Sequence, residues 1–165
     1  MNPRIEKLSR FHNLADFDCG TEALNLWLSK FALSNQAANS AQTYLGVVDD
    51  TVVGYFSLTA GQVDYADAPE RLRKGLARHP IPVVFLARLA VDLAWQSRGV
   101  GRGLLREAIS RTMQAAEIAG IRALAVHAKD VTARAFYSRF AFTSFHSNPL
   151  HMYTLTKDLR TLPLG

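Results

Sequence analysis

Cysteine is almost missing from this chain. Cys19 is the only one in 165 residues, so no disulfide can close within it and no thiolate cluster can hold zinc. The expected state of Cys19 is a buried, unreactive thiol, and the scarcity agrees with a reducing compartment. Long apolar runs are missing too: none approaches the roughly 20 residues that cross a bilayer. The opening Met1-Asn2-Pro3-Arg4-Ile5-Glu6 lacks the apolar stretch of a secretory signal, and a cytoplasmic location is expected. His12, His79, His127, His146 and His151 lack the paired spacing of metal ligands, so no metal is expected and packed or surface positions suffice for them. Repeats, low-complexity tracts and Gly/Ser linkers are absent, which makes a single domain over residues 1–165 the expectation. Acidic side chains are fewer than basic ones, 14 against 19, for a net charge of +5. Such a surface attracts polyanions, although mildly basic enzymes without a polyanionic partner are common.

What is present is ordinary globular material, 48% apolar and 20% charged. Ala23, Leu24, Trp27, Leu28, Phe31 and Ala32 recur at helical spacing and predict a helix from Thr21 to Asn35 with one buried face. Thr43–Val48 and Val52–Thr59 are β-rich and flank Asp49-Asp50-Thr51, a hairpin pattern. Ala68–Arg78 reads as a short helix with a basic face and Pro69 in its first turn, and Pro82–Val91 as an apolar central strand. A helix over Gly101–Ala119 carries Leu104, Leu105, Ala108, Ile109, Met113 and Ala116 on one stripe, with Gly120 as the residue that ends it. Ile121–His127 is a further strand, Thr132–Phe140 a helix, and Phe142–Phe145 with Met152–Thr156 a closing strand pair. The order predicts a mixed α/β (α+β) fold, a central sheet flanked by helices. Trp27 and Trp95 are expected to pack, Trp95 at the edge of the glycine-rich turn described next.

Gln96-Ser97-Arg98-Gly99-Val100-Gly101-Arg102-Gly103 lies where the apolar strand ends and the long helix begins. Glycines let the backbone turn tightly and aim consecutive N–H groups at one point, and the helix adds its positive end. A pyrophosphate can be held there, with Arg98 and Arg102 adding charge. A simple tight turn is the other reading, and the spacing is neither that of a dinucleotide fold nor of a Walker A loop.

The context decides between them. Leu89-Ala90-Val91-Asp92 precedes the loop, a helix containing Leu104-Leu105 follows it, and a later helix carries Ala135-Phe136-Tyr137. Along nearly its whole length the chain resembles the GNAT acetyltransferases. The resemblance implies the GNAT fold, a mixed and mostly antiparallel sheet with a splayed central strand pair, and acetyl-coenzyme A as co-substrate. It places Gln96, Gly99 and Gly101 on the family's pyrophosphate-binding pattern, Leu89, Ala90 and Val91 on the strand that meets the pantetheine arm, and Tyr137 on the tyrosine that protonates the departing thiolate. A phenol of pKa about 10 suits a thiolate leaving group on chemical grounds as well; a core aromatic is the competing reading of Tyr137. Ala141 departs from the family, whose members place glycine before the last aromatic of this segment.

Attack on a thioester needs a neutral amine. A lysine amine of pKa about 10.4 is neutral to only about one part in a thousand near neutral pH, whereas an α-amine of about 7.7–8.0 is substantially neutral. The strand Val83–Val91 carries no Asp or Glu, and Arg88 is its one charged residue. The empty base position points to an α-amine acceptor, unless water, Asp64 or Asp130 supplies the base.

Phe17-Asp18-Cys19-Gly20, Leu24-Asn25-Leu26-Trp27-Leu28, Asn35-Gln36, Val53-Gly54-Tyr55-Phe56-Ser57-Leu58, Arg88-Leu89-Ala90-Val91-Asp92 and Ala123-Leu124-Ala125-Val126-His127-Ala128 resemble the TacT-like GNAT toxins of toxin–antitoxin modules. That resemblance implies acetylation of the α-amine of aminoacyl-tRNA, arrest of translation, a homodimer, and a ribbon-helix-helix antitoxin as partner. Arg71, Arg73, Lys74 and Arg78 then become tRNA-phosphate contacts, or else one solvated helix face. Arg88 joins them, or makes an internal salt bridge. A housekeeping acetyltransferase acting on a small amine, a protein terminus or a lysine is the alternative function, and a non-catalytic binding module a third.

Overall fold

A computed structural model describes residues 2–161 of the chain. It is a mixed α/β structure whose strands form one seven-stranded sheet in the order β1-β2-β3-β4-β5-β7-β6. The β4/β5 pair is parallel, and the ladders β1/β2, β2/β3, β5/β7 and β6/β7 are antiparallel. The residues group into two compact units, Met1–Thr59 with Ala87–Ala108 and Ala60–Leu86 with Ile109–Gly165.

In the first unit, β1 (Arg4–Lys7), β2 (Gln42–Val48) and the start of β3 (Thr51–Val63) form an antiparallel meander. Four residues with little alternation gave β1 no signal in the sequence. The hairpin is tighter than expected: Val48 pairs with Thr51, and Asp49 and Asp50 turn the chain alone at φ 48° and 65°. Two left-handed residues make the turn whose twist matches the strands, and Asp tolerates that conformation.

The expected helix over Thr21–Asn35 is broken by a π turn. It consists of α1 (Glu22–Leu26), a π-helical stretch Trp27–Phe31, and α2 (Ala32–Ala37). A wider turn rotates the apolar stripe. Leu28 and Ala32 are buried, but Phe31 is 48% exposed and Ala23 also faces solvent. The core gathers Leu8, Phe17, Leu28, Leu45, Val47 and Tyr55, and the Tyr55 hydroxyl donates to the Leu24 carbonyl at 2.8 Å. Cys19 is buried there as expected, its Sγ 3.5 Å from the Thr21 carbonyl.

The first part of β4 (Ile81–Val91), to Leu86, belongs to the second unit and pairs with β5 (Ala123–His127) over Val83–Leu86 against Ala123–Val126. Ala123–Val126 are all buried, and the continuous apolar run follows from that. β7 (His151–Leu155) pairs with β5, and the short β6 (Thr143–Ser144) with β7. The helix expected over Ala68–Arg78 is a single turn, α3 (Glu70–Arg73). Gly75 at φ 80° leaves helical space, and Arg122 takes the orphaned carbonyls, donating Nε to Leu72 and Nη2 to Lys74, both at 3.0 Å. The long helix α4 spans Val100–Ile118, but Gly120 is not left-handed as a terminating glycine would be. Asp130 caps α5 (Val131–Ser138) by accepting from the Ala133 amide at 2.8 Å, and α6 (Thr156–Leu159) follows β7. Ala141 sits at φ 68°, a left-handed position where glycine carries no β-carbon penalty.

Candidate active site

The loop between β4 and α4 belongs to the first unit and is built by side chains that tie its ends down. The Asp92 carboxylate accepts from the Ala94 amide at 2.9 Å and the Asp18 amide at 3.1 Å, closing the 3-10 turn Leu93–Trp95. Gln96 Nε2 donates to the carbonyls of Val91 at 2.9 Å and Cys19 at 3.1 Å. Its side chain therefore faces the protein and fixes the loop. Ser97 and Gly99 are left-handed, at φ 64° and 83°.

The Gly103 amide bonds back to the Gly99 carbonyl at 3.1 Å, which makes Gly99 the cap of α4. The amides of Val100 and Gly101 lie in the first turn, where no preceding helical carbonyl can accept them. A β-carbon at Gly99 or Gly103 would meet nothing within 4 Å, so the space over this helix end is open. Exposed left-handed backbone, a helix N-terminus and an open approach suit a diphosphate. Of the residues expected to hold it, Gln96 and Gly103 are tied to backbone carbonyls, Ser97, Arg98, Gly99 and Arg102 are exposed, Gly101 is half-buried, and the Val100 side chain is buried. The Arg98 guanidinium lies 4.8 Å from the Trp95 ring centroid, so Trp95 supports the loop's edge.

On β4, Asp92 donates its amide to the Val53 carbonyl at 2.9 Å, and the Ala90 carbonyl faces Gly54. Strand alternation turns the backbone groups of Leu89 and Val91 the other way. Of the three residues expected along a pantetheine arm, Ala90 turns its carbonyl toward Gly54, and Leu89 and Val91 turn theirs away from it. Arg88 makes no internal salt bridge among the described residues. Its guanidinium stacks on Trp27, 3.8 Å from the ring centroid, and partial burial holds its pKa below the ordinary value.

Tyr137 lies on α5 in the second unit. It is 6% exposed, with Phe136 and Phe142 rings 5.2 and 5.4 Å away. Its hydroxyl has no hydrogen-bond partner among the described residues. Burial pushes its pKa well above that of a free phenol, so it remains a neutral proton donor.

The four basic residues expected on one helix are not on one helix. Arg71 pairs with Asp158 at 2.8 Å, while the guanidinia of Arg73 and Arg78 lie 5.2 and 6.0 Å from the Tyr65 ring centroid. Arg73, Lys74 and Arg78 still line one open depression with Tyr65 and Glu70. Asp130, considered as a base, spends its carboxylate on the α5 cap.

Asp64 lines a cavity of about 460 Å3, together with Asp67, Phe85, Phe145 and two histidines. The β5/β7 register sets His127 opposite His151, and their rings stack with centroids 3.8 Å apart and planes 14° apart. No spacing in the sequence marks this pair, because the residues lie far apart on strands that only the sheet makes neighbours.

The Acetyltransferase (GNAT) family matches residues 8–142. The chain is 42% identical over 156 residues, 94% of its length and 93% of the relative's, to a tRNA-acetylating toxin of Mycobacterium tuberculosis. Among solved structures it resembles a tyrosine-to-phenylalanine variant of KacT (TM-score 0.91, 27% identity, 98% of this chain and 99% of that one). It also resembles AtaT complexed with acetyl-methionyl-tRNA (TM-score 0.87, 28% identity, 96% and 97% covered). A tyrosine-to-phenylalanine variant of AtaT bound to the C-terminus of the antitoxin AtaR and to acetyl-coenzyme A gives a TM-score of 0.82 at 28% identity, covering 96% of each chain. Family match, fold and loop agree, and the chain belongs to the GNAT acetyltransferases.

Proposed function

We propose that this acetyltransferase is the toxin of a toxin–antitoxin module, acting in the cytoplasm as a homodimer restrained by a ribbon-helix-helix antitoxin. It moves the acetyl group of acetyl-coenzyme A onto the α-amine of aminoacyl-tRNA, which removes the amine that translation needs. The observation that carries this reading is the 42% identity to a tRNA-acetylating toxin across 94% of the chain. The site's chemistry supports it in three respects.

The amides of Gly99, Val100 and Gly101, with Arg98 and Arg102, bind the coenzyme's diphosphate, and Leu89 and Val91 offer backbone groups to the pantetheine arm. The neutral Tyr137 phenol protonates the departing sulfur. Arg73, Lys74 and Arg78, around one depression, attract tRNA phosphates, and the Arg88 guanidinium, held on Trp27, adds charge for the same class of ligand.

Incubation with acetyl-labelled coenzyme A and charged tRNA tests the reading. Label is expected on the aminoacyl group and is released with it on deacylation. Absence of label on every charged tRNA, with transfer to lysine or small amines instead, would place the chain among housekeeping acetyltransferases.

A further inference from the structure

The stacked imidazoles of His127 and His151 have no role in the chemistry described so far. His127 is exposed and His151 half-buried, and neither ring donates or accepts a hydrogen bond among the described residues. Four unclaimed ring nitrogens therefore border the cavity that Asp64 and Asp67 also line. Phe85, Phe145 and Met152 add apolar wall. A pocket with carboxylates, imidazoles and apolar surface suits a cation carried on an apolar body, which is what an aminoacyl ester with a protonated α-amine is.

We propose that this cavity is the acceptor-amine site, where Asp64 and Asp67 hold the ammonium and the His127–His151 pair takes its proton. This assignment rests on the acetyl-transfer reading above. Two imidazoles at 3.8 Å repel one another when both are charged, so a proton on one ring disfavours a proton on the other. Burial, and then the charge of His151, hold the His127 pKa below its ordinary value, which keeps a neutral acceptor available near neutral pH. The other titratable groups facing the cavity are Asp64 and Asp67. From β4 it receives Phe85, from the β6–β7 loop the neutral Ser147 and Asn148, and from β7 His151 itself.

The transfer balances as follows. The ammonium gives one proton to the imidazole, which later releases it to water. The freed nitrogen lone pair forms a C–N bond at the thioester carbonyl carbon, and the C–S bonding pair leaves with sulfur. Tyr137 gives its hydroxyl proton to the sulfur, and the second nitrogen proton restores the phenol, leaving an amide and a thiol. An imidazole, ordinarily of pKa about 6.5, is far better matched to an α-ammonium of about 7.7–8.0 than to a lysine ammonium of about 10.4. The pair therefore selects α-amines.

Acetylation of charged tRNA by the full-length chain is measured from about pH 5.5 to 9, the range in which an imidazole base shows its titration. His127→Gln is expected to lower kcat about 10- to 100-fold near neutral pH and to flatten the acid limb, with acetyl-coenzyme A affinity unchanged by calorimetry. His151→Gln removes a repelling charge, so the His127 pKa rises and the acid limb moves to higher pH. Wild-type rates and an unmoved acid limb in both variants overturn the assignment and leave the acetyl-transfer reading standing. A wild-type chain that binds acetyl-coenzyme A but acetylates neither charged tRNA nor an amino-acid methyl ester overturns both.

Discussion

Leu104 Cδ1 stands 2.8 Å from the point that a β-carbon on Gly54 would occupy, with the Ala90 carbonyl oxygen 3.0 Å from it. β3 must carry glycine here for the start of α4, and so the end of the glycine-rich loop, to lie against it. Gly54→Ala pushes Leu104 aside and presses on backbone. A stability loss of about 1–3 kcal/mol is expected from this overpacking, read as a lower urea midpoint at unchanged slope.

Gly99 presents the opposite case. Space over it is open, but its φ of 83° is costly for any other residue. Gly99→Ala should therefore leave core packing intact and displace the loop amides. Calorimetry is expected to show weaker acetyl-coenzyme A binding, with a stability change of only about 1–2 kcal/mol.

Ala141 invites the reverse substitution, since its φ of 68° carries a penalty that glycine removes. Ala141→Gly should stabilise the chain by about 0.5–1 kcal/mol after the extra freedom of the unfolded glycine is subtracted. Thermal or urea unfolding reads the sign, and a destabilised variant would contradict the account of this turn.

Tyr137→Phe keeps the ring packed against Phe136 and Phe142 and removes only the hydroxyl proposed as the acid. A fall in kcat of about 100-fold is expected, with acetyl-coenzyme A affinity retained. Because burial raises the pKa of this phenol in the folded state, the native chain holds its proton to higher pH than the unfolded chain. The wild-type rate should show no alkaline loss from Tyr137 below about pH 10. Its contribution to stability is complete below that pH and is lost as pH rises further.

Lys74→Gln with Arg78→Gln removes two charges from the depression around Tyr65. The slope of log affinity for tRNA against log salt should shrink by about 0.7–0.9 for each phosphate that is no longer neutralised. An unchanged slope would mean that this depression does not meet the nucleic acid.

The turn and helix proposed to form the site were legible because their signals are local. Gln96 through Gly103 sit on consecutive positions where a strand stops and a helix starts, and the turn needs glycine at Gly99 whatever surrounds it. The stripe Leu104, Leu105, Ala108 and Ile109 is buried as its spacing required. Local pattern failed where distant groups decide. The expected basic helix shrank to Glu70–Arg73 because Gly75 breaks it and Arg122, far along the chain, takes its free carbonyls. A π turn at Trp27–Phe31 turned Phe31 outward, and residue periodicity cannot register one extra residue in one turn.

The sequence by itself determined the family, the glycine-rich turn between strand and helix, and the helix that carries Tyr137, since each is written in neighbouring residues whose backbone or chemistry needs little else. Only the tertiary structure decided that Gln96 is a brace, that Arg88 rests on an indole, and that His127 meets His151. Those are pairings across strands and loops, fixed by hydrogen-bond register and burial rather than by anything adjacent residues share.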